Sequence, residues 1–291
     1  MDAVALAYAG LTLSTFGWAS GFIAGKLALA EMTPLSVAAC RYAVAATILL
    51  PFAIWQRPRT GVGQATRPLA FMILAGGVLY PWLFLLALEH TSATNTALLV
   101  ALNPVFTLLL VPFVGERVDR RRFLGVAVAL AGAAIVITRG DVAHLRAFSF
   151  HSGDLLALSA AAMWATFNVA SRNVVHRLSP SFTNCVIYSV GGATLYLLGR
   201  GESPIAQFAA ATPTAISGVL IMALLSSVMA GQLFLVGVRT VGVSRTVVFV
   251  YLVPVITAAL SAILLGERLQ IAQAVGGAAV LAGVYGTTRT G

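Results

Sequence analysis

The sequence predicts an all-α polytopic membrane protein with ten transmembrane helices arranged as two inverted five-helix repeats. Three observations carry that expectation. The 291 residues are 59% hydrophobic and 9% charged, with a mean hydropathy of +0.93, which leaves too little polar surface to cover a soluble globule. Apolar stretches of about 20 residues, the length that crosses the hydrocarbon core, begin near residues 4, 35, 69, 94, 122, 154, 181, 214, 244 and 270. The third observation is a duplication. At an offset of 150, Thr94 falls on Ser244, Thr96 on Thr246, Pro104 on Pro254, Val105 on Val255 and Thr107 on Thr257, and Gly115-Glu116-Arg117 recurs as Gly266-Glu267-Arg268. At an offset of 146, Trp18-Ala19 falls on Trp164-Ala165, Ser20 on Thr166, Lys26 on Arg172, Pro34 on Pro180 and Tyr42 on Tyr188.

Taken in order, the first span follows Met1-Asp2-Ala3, which lacks a basic leader, and is too long for a cleaved signal peptide, so it is expected to be retained. The second opens at Pro34 and carries Cys40 and Arg41; the third carries Tyr80. Asn103-Pro104 interrupts the fourth, and Gly125 and Gly132 put small residues on one face of the fifth, as close helix packing in lipid requires. The sixth span holds Trp164, the seventh Cys185 and the eighth Gln232. The ninth holds Tyr251 and Pro254, and the tenth repeats the glycine face with Gly276 and Gly283. The connections at 56–68, 139–153 and 200–213 are too short for a soluble domain. Residues 1–291 thus form one membrane domain, with a first repeat over 4–139 and a second over 154–289. Five crossings per repeat is an odd number, so the second repeat enters from the opposite side, the inverted design from which alternating access follows.

The net charge of +9 and pI near 10.4 do not mark a nucleic-acid binder, because the basic residues are scattered among short loops without interleaved aromatics. Topology accounts for them. With both termini in the cytoplasm, the inner side collects twelve (Arg57, Arg59, Arg67, Arg117, Arg120, Arg121, Arg122, Arg172, Arg177, Arg239, Arg245 and Arg289) and the outer side five (Lys26, Arg139, Arg146, Arg200 and Arg268), as the positive-inside rule demands. Cys40 and Cys185, both inside apolar spans and without metal-type spacing, are expected to be unpaired core residues.

The pattern of Trp-Ala in the first span, Thr-Pro and an Arg opening the second, Asn-Pro-Val in the fourth and Gly-Glu-Arg before the fifth, then repeated, resembles the ten-helix EamA branch of the drug/metabolite transporter superfamily. The resemblance covers essentially the full length. Within that branch the chain is similar to the YddG-type bacterial amino-acid exporters. The resemblance implies a multi-pass protein of the bacterial inner membrane, with spans 1, 3, 4, 6, 8 and 9 around a central cavity and spans 5 and 10 packed behind.

Candidate site residues follow from polarity at mid-span depth. Trp18 shares a helical face with Ser14, Gly21 and Gly25, and Trp164 with Asn168 and Ser171. Neither stands in the interfacial belt where Trp usually lies, so a cavity lining is favoured over simple packing. Asn103 lies on one stripe with Thr96 and Thr107 and has Val253 as its counterpart; it is either a substrate contact or a polar clamp between helices. Tyr80, Gln232 and Tyr251 are weaker candidates for the same cavity. Pro104 and Pro254 each remove a backbone hydrogen bond and are read as paired hinges or as static kinks. Arg41 is expected to snorkel outward, to hold an anionic group of the substrate or to pair with an acid such as Glu31. The Gly-Glu-Arg turns fit ordinary helix capping.

All nine acids and four histidines fall at span ends or in loops, so no proton carrier is visible inside the membrane and the expectation is facilitated, gradient-driven movement or coupling through backbone carbonyls. The absence of Gly-x-Ser-x-Gly, His-Glu-x-x-His or paired intramembrane carboxylates argues against an enzyme, and no catalytic residue, metal or cofactor is assigned. The function expected is export of small metabolites, foremost aromatic or hydrophobic amino acids, with the bilayer as surroundings and a monomer as the working unit. The alternatives are a carrier of nucleosides or drug-like compounds, or a receptor or scaffold that does not transport. A cationic cargo is disfavoured by the lack of an intramembrane acid.

Overall fold

The computed structural model describes residues 2–58, 62–90, 96, 99–115, 119–138, 140–141, 152–265 and 271–288. Among these residues there is no strand. The helices, in chain order, are α1 (Ala3–Leu29), α2 (Pro34–Trp55), α3 (Val62–Met72), α4 (Tyr80–His90), α5 (Asn103–Leu110), α6 (Arg120–Thr138) and α7 (Ser152–Val175). They continue with α8 (Pro180–Leu198), α9 (Pro204–Ala210), α10 (Pro213–Ile221), α11 (Ala230–Val241), α12 (Val243–Thr246), α13 (Leu252–Leu265) and α14 (Ile271–Thr288). Among the described residues five segments are long and apolar enough to cross a membrane: Pro34–Trp55, Val62–Ala87, Arg120–Thr138, Pro213–Val241 and Val243–Leu260; α8 with the segment after it makes a sixth.

Local chemistry sets the helix starts. Proline opens α2, α8, α9 and α10, where its missing N–H costs nothing. Ser179 caps α8 by accepting from the Phe182 amide at 3.2 Å, and Thr212 caps α10 by accepting from the Ala215 amide at 3.4 Å. Two boundaries differ from the sequence expectation. The third stretch is helical from Val62, not from 69, because Pro68 is accommodated inside α3 instead of ending it. The connection at 200–213 contains α9, and the segment Arg200–Ala210 bends 64° from α8.

Two π-helical stretches lie inside long helices, Ile73–Leu79 between α3 and α4 and Met222–Met229 between α10 and α11. They occupy matching places in the two halves of the sequence. Each is held by a tyrosine from a neighbouring helix: Tyr42 of α2 donates its hydroxyl to the Gly76 carbonyl at 3.3 Å, and Tyr188 of α8 donates to the Ser227 carbonyl at 2.8 Å. The two tyrosine rings meet with centroids 4.7 Å apart. A widened turn leaves backbone carbonyls without their regular partners, and the phenols supply one donor to each.

The close approaches are made at glycines. A Cβ on Gly132 would stand 2.6 Å from the Gly276 carbonyl oxygen, and one on Gly283 would stand 2.5 Å from that of Gly125. As α6 rises from Gly125 to Gly132, its partner α14 therefore descends from Gly283 to Gly276, and the two run antiparallel. Helices α2 and α8 also pack together, with the Cys185 thiol on the Ala46 carbonyl at 3.8 Å. Cys185 is buried, Cys40 is half-buried, and both are free.

At the end of the bundle that carries the α1–α2 loop, polar contacts tie that loop to the α9 region. Glu31 accepts from the Thr212 amide at 2.8 Å and from its hydroxyl at 2.5 Å, and the Thr33 amide donates to Gln207 at 2.8 Å. Those donors favour the ionised form, so the Glu31 carboxyl lies below its ordinary pKa.

Candidate functional site

The two tryptophans singled out by the repeat meet. Trp18 of α1 and Trp164 of α7 contact edge to face, with ring centroids 5.8 Å apart and planes at 87°, the arrangement the ring quadrupoles favour. Tyr80 of α4 lies 4.6 Å from the Trp164 ring, Phe167 stacks on it at 4.7 Å, and Phe234 of α11 lies 5.4 Å from Trp18 and 6.0 Å from Trp164. The result is an aromatic floor contributed by α1, α4, α7 and α11, with both tryptophans half-buried.

Its shape depends on small residues in the π-helical stretches. A Cβ on Gly76 would lie 2.3 Å from the Phe167 ring, so only glycine lets that ring turn against the backbone. At the matching contact of the other half the sizes are exchanged. Gly21 stands where Phe167 would, and Ser226 where Gly76 would; Ser226 donates to the Gly17 carbonyl at 2.7 Å. The halves therefore share a scaffold but present different surfaces.

The polar candidates divide into two groups. Gln232 is half-buried beside the floor helices, and its amide nitrogen is shielded from solvent without a hydrogen-bond partner. Asn103 is 1% exposed, and its carboxamide oxygen accepts from the Asn168 side chain at 3.1 Å. Asn168 also donates to the Thr107 hydroxyl at 3.1 Å, and that hydroxyl donates to the Asn103 carbonyl at 2.9 Å. This network ties α5 to α7. Tyr251 is fully buried, with its hydroxyl also lacking a partner.

Both prolines follow a break in regular helix. Leu102 precedes Asn103-Pro104 in a turn and its carbonyl accepts the Phe106 amide at 3.1 Å, while Pro254 follows the 3-10 stretch Val247–Tyr251. The Glu116-Arg117 and Gly266–Arg268 turn residues lie outside the described residues. Among the described residues no acid pairs with Arg41, and Glu31 is engaged by Thr212; the Arg41 guanidinium lies over the Tyr42 ring, 4.8 Å from the centroid. At the end of the bundle opposite the α1–α2 loop, a cavity of about 430 Å³ is lined by Arg122, Arg172, His176, Arg239 and Arg245.

Sequence reasoning did not single out Phe167 or Phe234 and did not anticipate the π-helical stretches. Phe167 was accessible in principle, since it follows Trp164 by three positions and shares its helical face. Phe234 is one phenylalanine among fifteen in an apolar chain and carries no such mark.

The description of the EamA-like transporter family matches residues 5–138 and again 151–289. An uncharacterized transporter of Archaeoglobus fulgidus is 28% identical over 281 residues, covering 96% of both chains. A probable terminal-alkyne amino-acid exporter of Streptantibioticus cattleyicolor is 28% identical over 285 residues, covering 94% of this chain and 90% of the relative. A probable amino-acid metabolite efflux pump of Salmonella typhimurium is 26% identical over 277 residues, covering 92% and 90%. One solved crystal structure superposes with a TM-score of 0.76 at 18% identity, over 98% of this chain and 96% of that one, a likeness of fold.

Proposed function

This chain belongs to the EamA-like transporter family, and on that premise we propose that it exports small metabolites, foremost amino acids with aromatic or hydrophobic side chains, across the bacterial inner membrane by alternating access. The observation that carries the proposal is the Trp18–Trp164 contact, which brings one tryptophan from each repeat to a shared aromatic floor. Flat apolar rings with few polar groups suit a ligand that is itself apolar and aromatic. The names of two relatives at 26–28% identity, a probable terminal-alkyne amino-acid exporter and a probable amino-acid metabolite efflux pump, support the substrate class. In this proposal Trp18, Tyr80, Trp164 and Gln232 contact substrate, Asn103 and Tyr251 join the same site from buried positions, and Pro104 and Pro254 are the hinges. Uptake into reconstituted vesicles of a panel of radiolabelled amino acids, nucleosides and cationic drugs tests it; transport of the latter two with no amino acid among the substrates would overturn the assignment.

Alternating access requires the two repeats to be inverted. The reciprocal glycine contacts of the antiparallel α6 and α14, and the matched tyrosine bonds to the two π-helical stretches, support that arrangement. The expected topology has ten spans and both termini in the cytoplasm. In a background lacking Cys40 and Cys185, cysteine at Ser203 is then labelled by an impermeant maleimide from outside, and cysteine at Val62 only after permeabilisation. External labelling of both positions would sink the inverted topology.

The same proposal predicts that substrate counterflow persists without a proton gradient, since proton coupling needs a group able to bind and release a proton within the barrier. Exchange rates measured with equal and unequal pH across vesicles should agree. Uphill accumulation driven by an imposed pH gradient and abolished by a protonophore is the contrary result, and would turn attention to Glu89, His90 and Asp154.

A further inference from the structure

Arg41 lies seven residues into α2, about 10 Å along the helix from Pro34 at the usual rise. Its neighbours one turn away, Val37, Ala38 and Ala45, are buried, so it belongs to the inward face of the helix. Its Nε is shut off from solvent and has no hydrogen-bond partner, while the side chain as a whole is half-buried. The guanidinium stands 4.8 Å from the Tyr42 ring centroid; the Tyr42 ring lies 4.7 Å from that of Tyr188, and the Tyr42 hydroxyl bonds the Gly76 carbonyl in the stretch that leads into Tyr80. Tyr80 in turn packs on Trp164 of the aromatic floor. No acid among the described residues pairs with Arg41. The acid ten positions before it, Glu31, is committed to Thr212.

A guanidinium on the inward face of a helix with one nitrogen buried and unpartnered calls for an anion, and its planar fork matches a carboxylate with two parallel N–H donors. The ring beneath it offsets part of the desolvation but supplies no hydrogen-bond acceptor. The cavity at the opposite end of the bundle carries charge of the same sign, with Arg122, Arg172, Arg239 and Arg245 on its walls. By contrast, the acids on the helices that carry Trp164 and Tyr80 lie well along the chain from those rings, with Asp154 ten positions before Trp164 and Glu89 nine after Tyr80.

We propose that Arg41 is the group that holds the cargo, and that it does so through the cargo's carboxylate: the ligand class is a monocarboxylate bearing an apolar or aromatic side chain, whose amino group is not required. This rests on the reading of the chain as an amino-acid exporter and deepens it. The carboxylate binds Arg41 while the side chain lies against Trp164 and Trp18. An α-hydroxy or N-acetyl analogue keeps the binding group and is accepted. An amine, an amide or an ester loses it and is not.

The test is competition against radiolabelled phenylalanine counterflow in reconstituted vesicles. Phenyllactate and N-acetylphenylalanine are expected to compete within a few-fold of phenylalanine itself, and phenethylamine and phenylalanine methyl ester at least about tenfold more weakly, the worth of one or two charge-assisted hydrogen bonds. Arg41→Gln should raise the KM for phenylalanine about tenfold and abolish the discrimination, and Arg41→Lys should restore part of both. Equal competition by phenethylamine and phenyllactate in the unaltered protein overturns the proposal, and so does an Arg41→Gln protein with unchanged KM. If no amino acid is carried, the export reading fails separately. Thermal stabilisation of the purified protein by phenyllactate and not by phenethylamine, lost in Arg41→Gln, would still support the carboxylate site, and stabilisation by neither would remove it.

Discussion

Trp164→Ala is expected to lower transport per folded molecule by at least about tenfold, and by more than Trp18→Ala. Among the described residues Trp164 meets the rings of Trp18, Tyr80, Phe167 and Phe234, whereas Trp18 meets those of Trp164 and Phe234. Each aromatic pair is worth about 0.5–1.5 kcal/mol beyond its buried area. Removing the indole of Trp164 deletes the ring that organises the others as well as the face that the proposed function gives to substrate. A stability cost accompanies the change, since truncating a large core side chain to alanine costs roughly 3–5 kcal/mol and a half-buried one less. The informative quantity is therefore flux divided by folded protein, measured in vesicles after size-exclusion quantification, with thermal stability followed in parallel. Trp164→Phe should recover most of the flux by keeping a ring at that position. Normal flux per folded molecule with lowered stability in both alanine variants would make the tryptophans packing residues and leave the cavity elsewhere.

The contacts of Trp164 also mark how far the sequence could be read. Both tryptophans were legible because the duplication sets them at one offset and because Ser, Gly and Asn on their faces are wrong for lipid. Their meeting was not legible, since it depends on how α1 and α7 cross. Tyr42 and Tyr188 were likewise visible as a repeated pair, yet their partners are backbone carbonyls in π-helical turns, and a π-turn is a change of hydrogen-bond register that leaves no composition signal. The exchange of Gly76 and Phe167 for Ser226 and Gly21 breaks sequence similarity at the place where the halves correspond, so repeat matching passes over it. Asn103 was recognised as buried and polar, but its partner Asn168 lies 65 residues away on another helix. The start of the third helix was set too late because the apolar run begins near 69, whereas the helix starts at Val62, takes in polar residues and carries Pro68 inside it.

The largest effect on folding is expected where α6 crosses α14. Valine at Gly132 should lower the folded yield severely and the melting temperature by roughly 5 °C or more, the equivalent of one or two kcal/mol in a chain of this size. The added Cβ would stand 2.6 Å from the Gly276 oxygen, 2.7 Å from the Val280 nitrogen and 3.0 Å from the Ala279 Cβ, so the obstacle is mostly backbone and cannot rotate away. The helices would have to separate, and helix pairs in lipid have little besides close van der Waals contact to hold them, because lipid tails offer the same apolar surroundings as the partner helix. The contact is reciprocal, since a Cβ on Gly276 meets the Gly132 oxygen at 2.7 Å, so Gly276→Val should cost about as much as Gly132→Val. The double variant should cost less than the sum of the two, because the first substitution has already forced the helices apart. Gly286→Ala provides the control: it lies on the same helix α14, and nothing comes within 4 Å of its Cβ position. Fluorescence-detected size exclusion after a temperature series reads all four variants. A Gly132→Val protein that melts with the unaltered one would mean that α6 and α14 do not approach through these glycines.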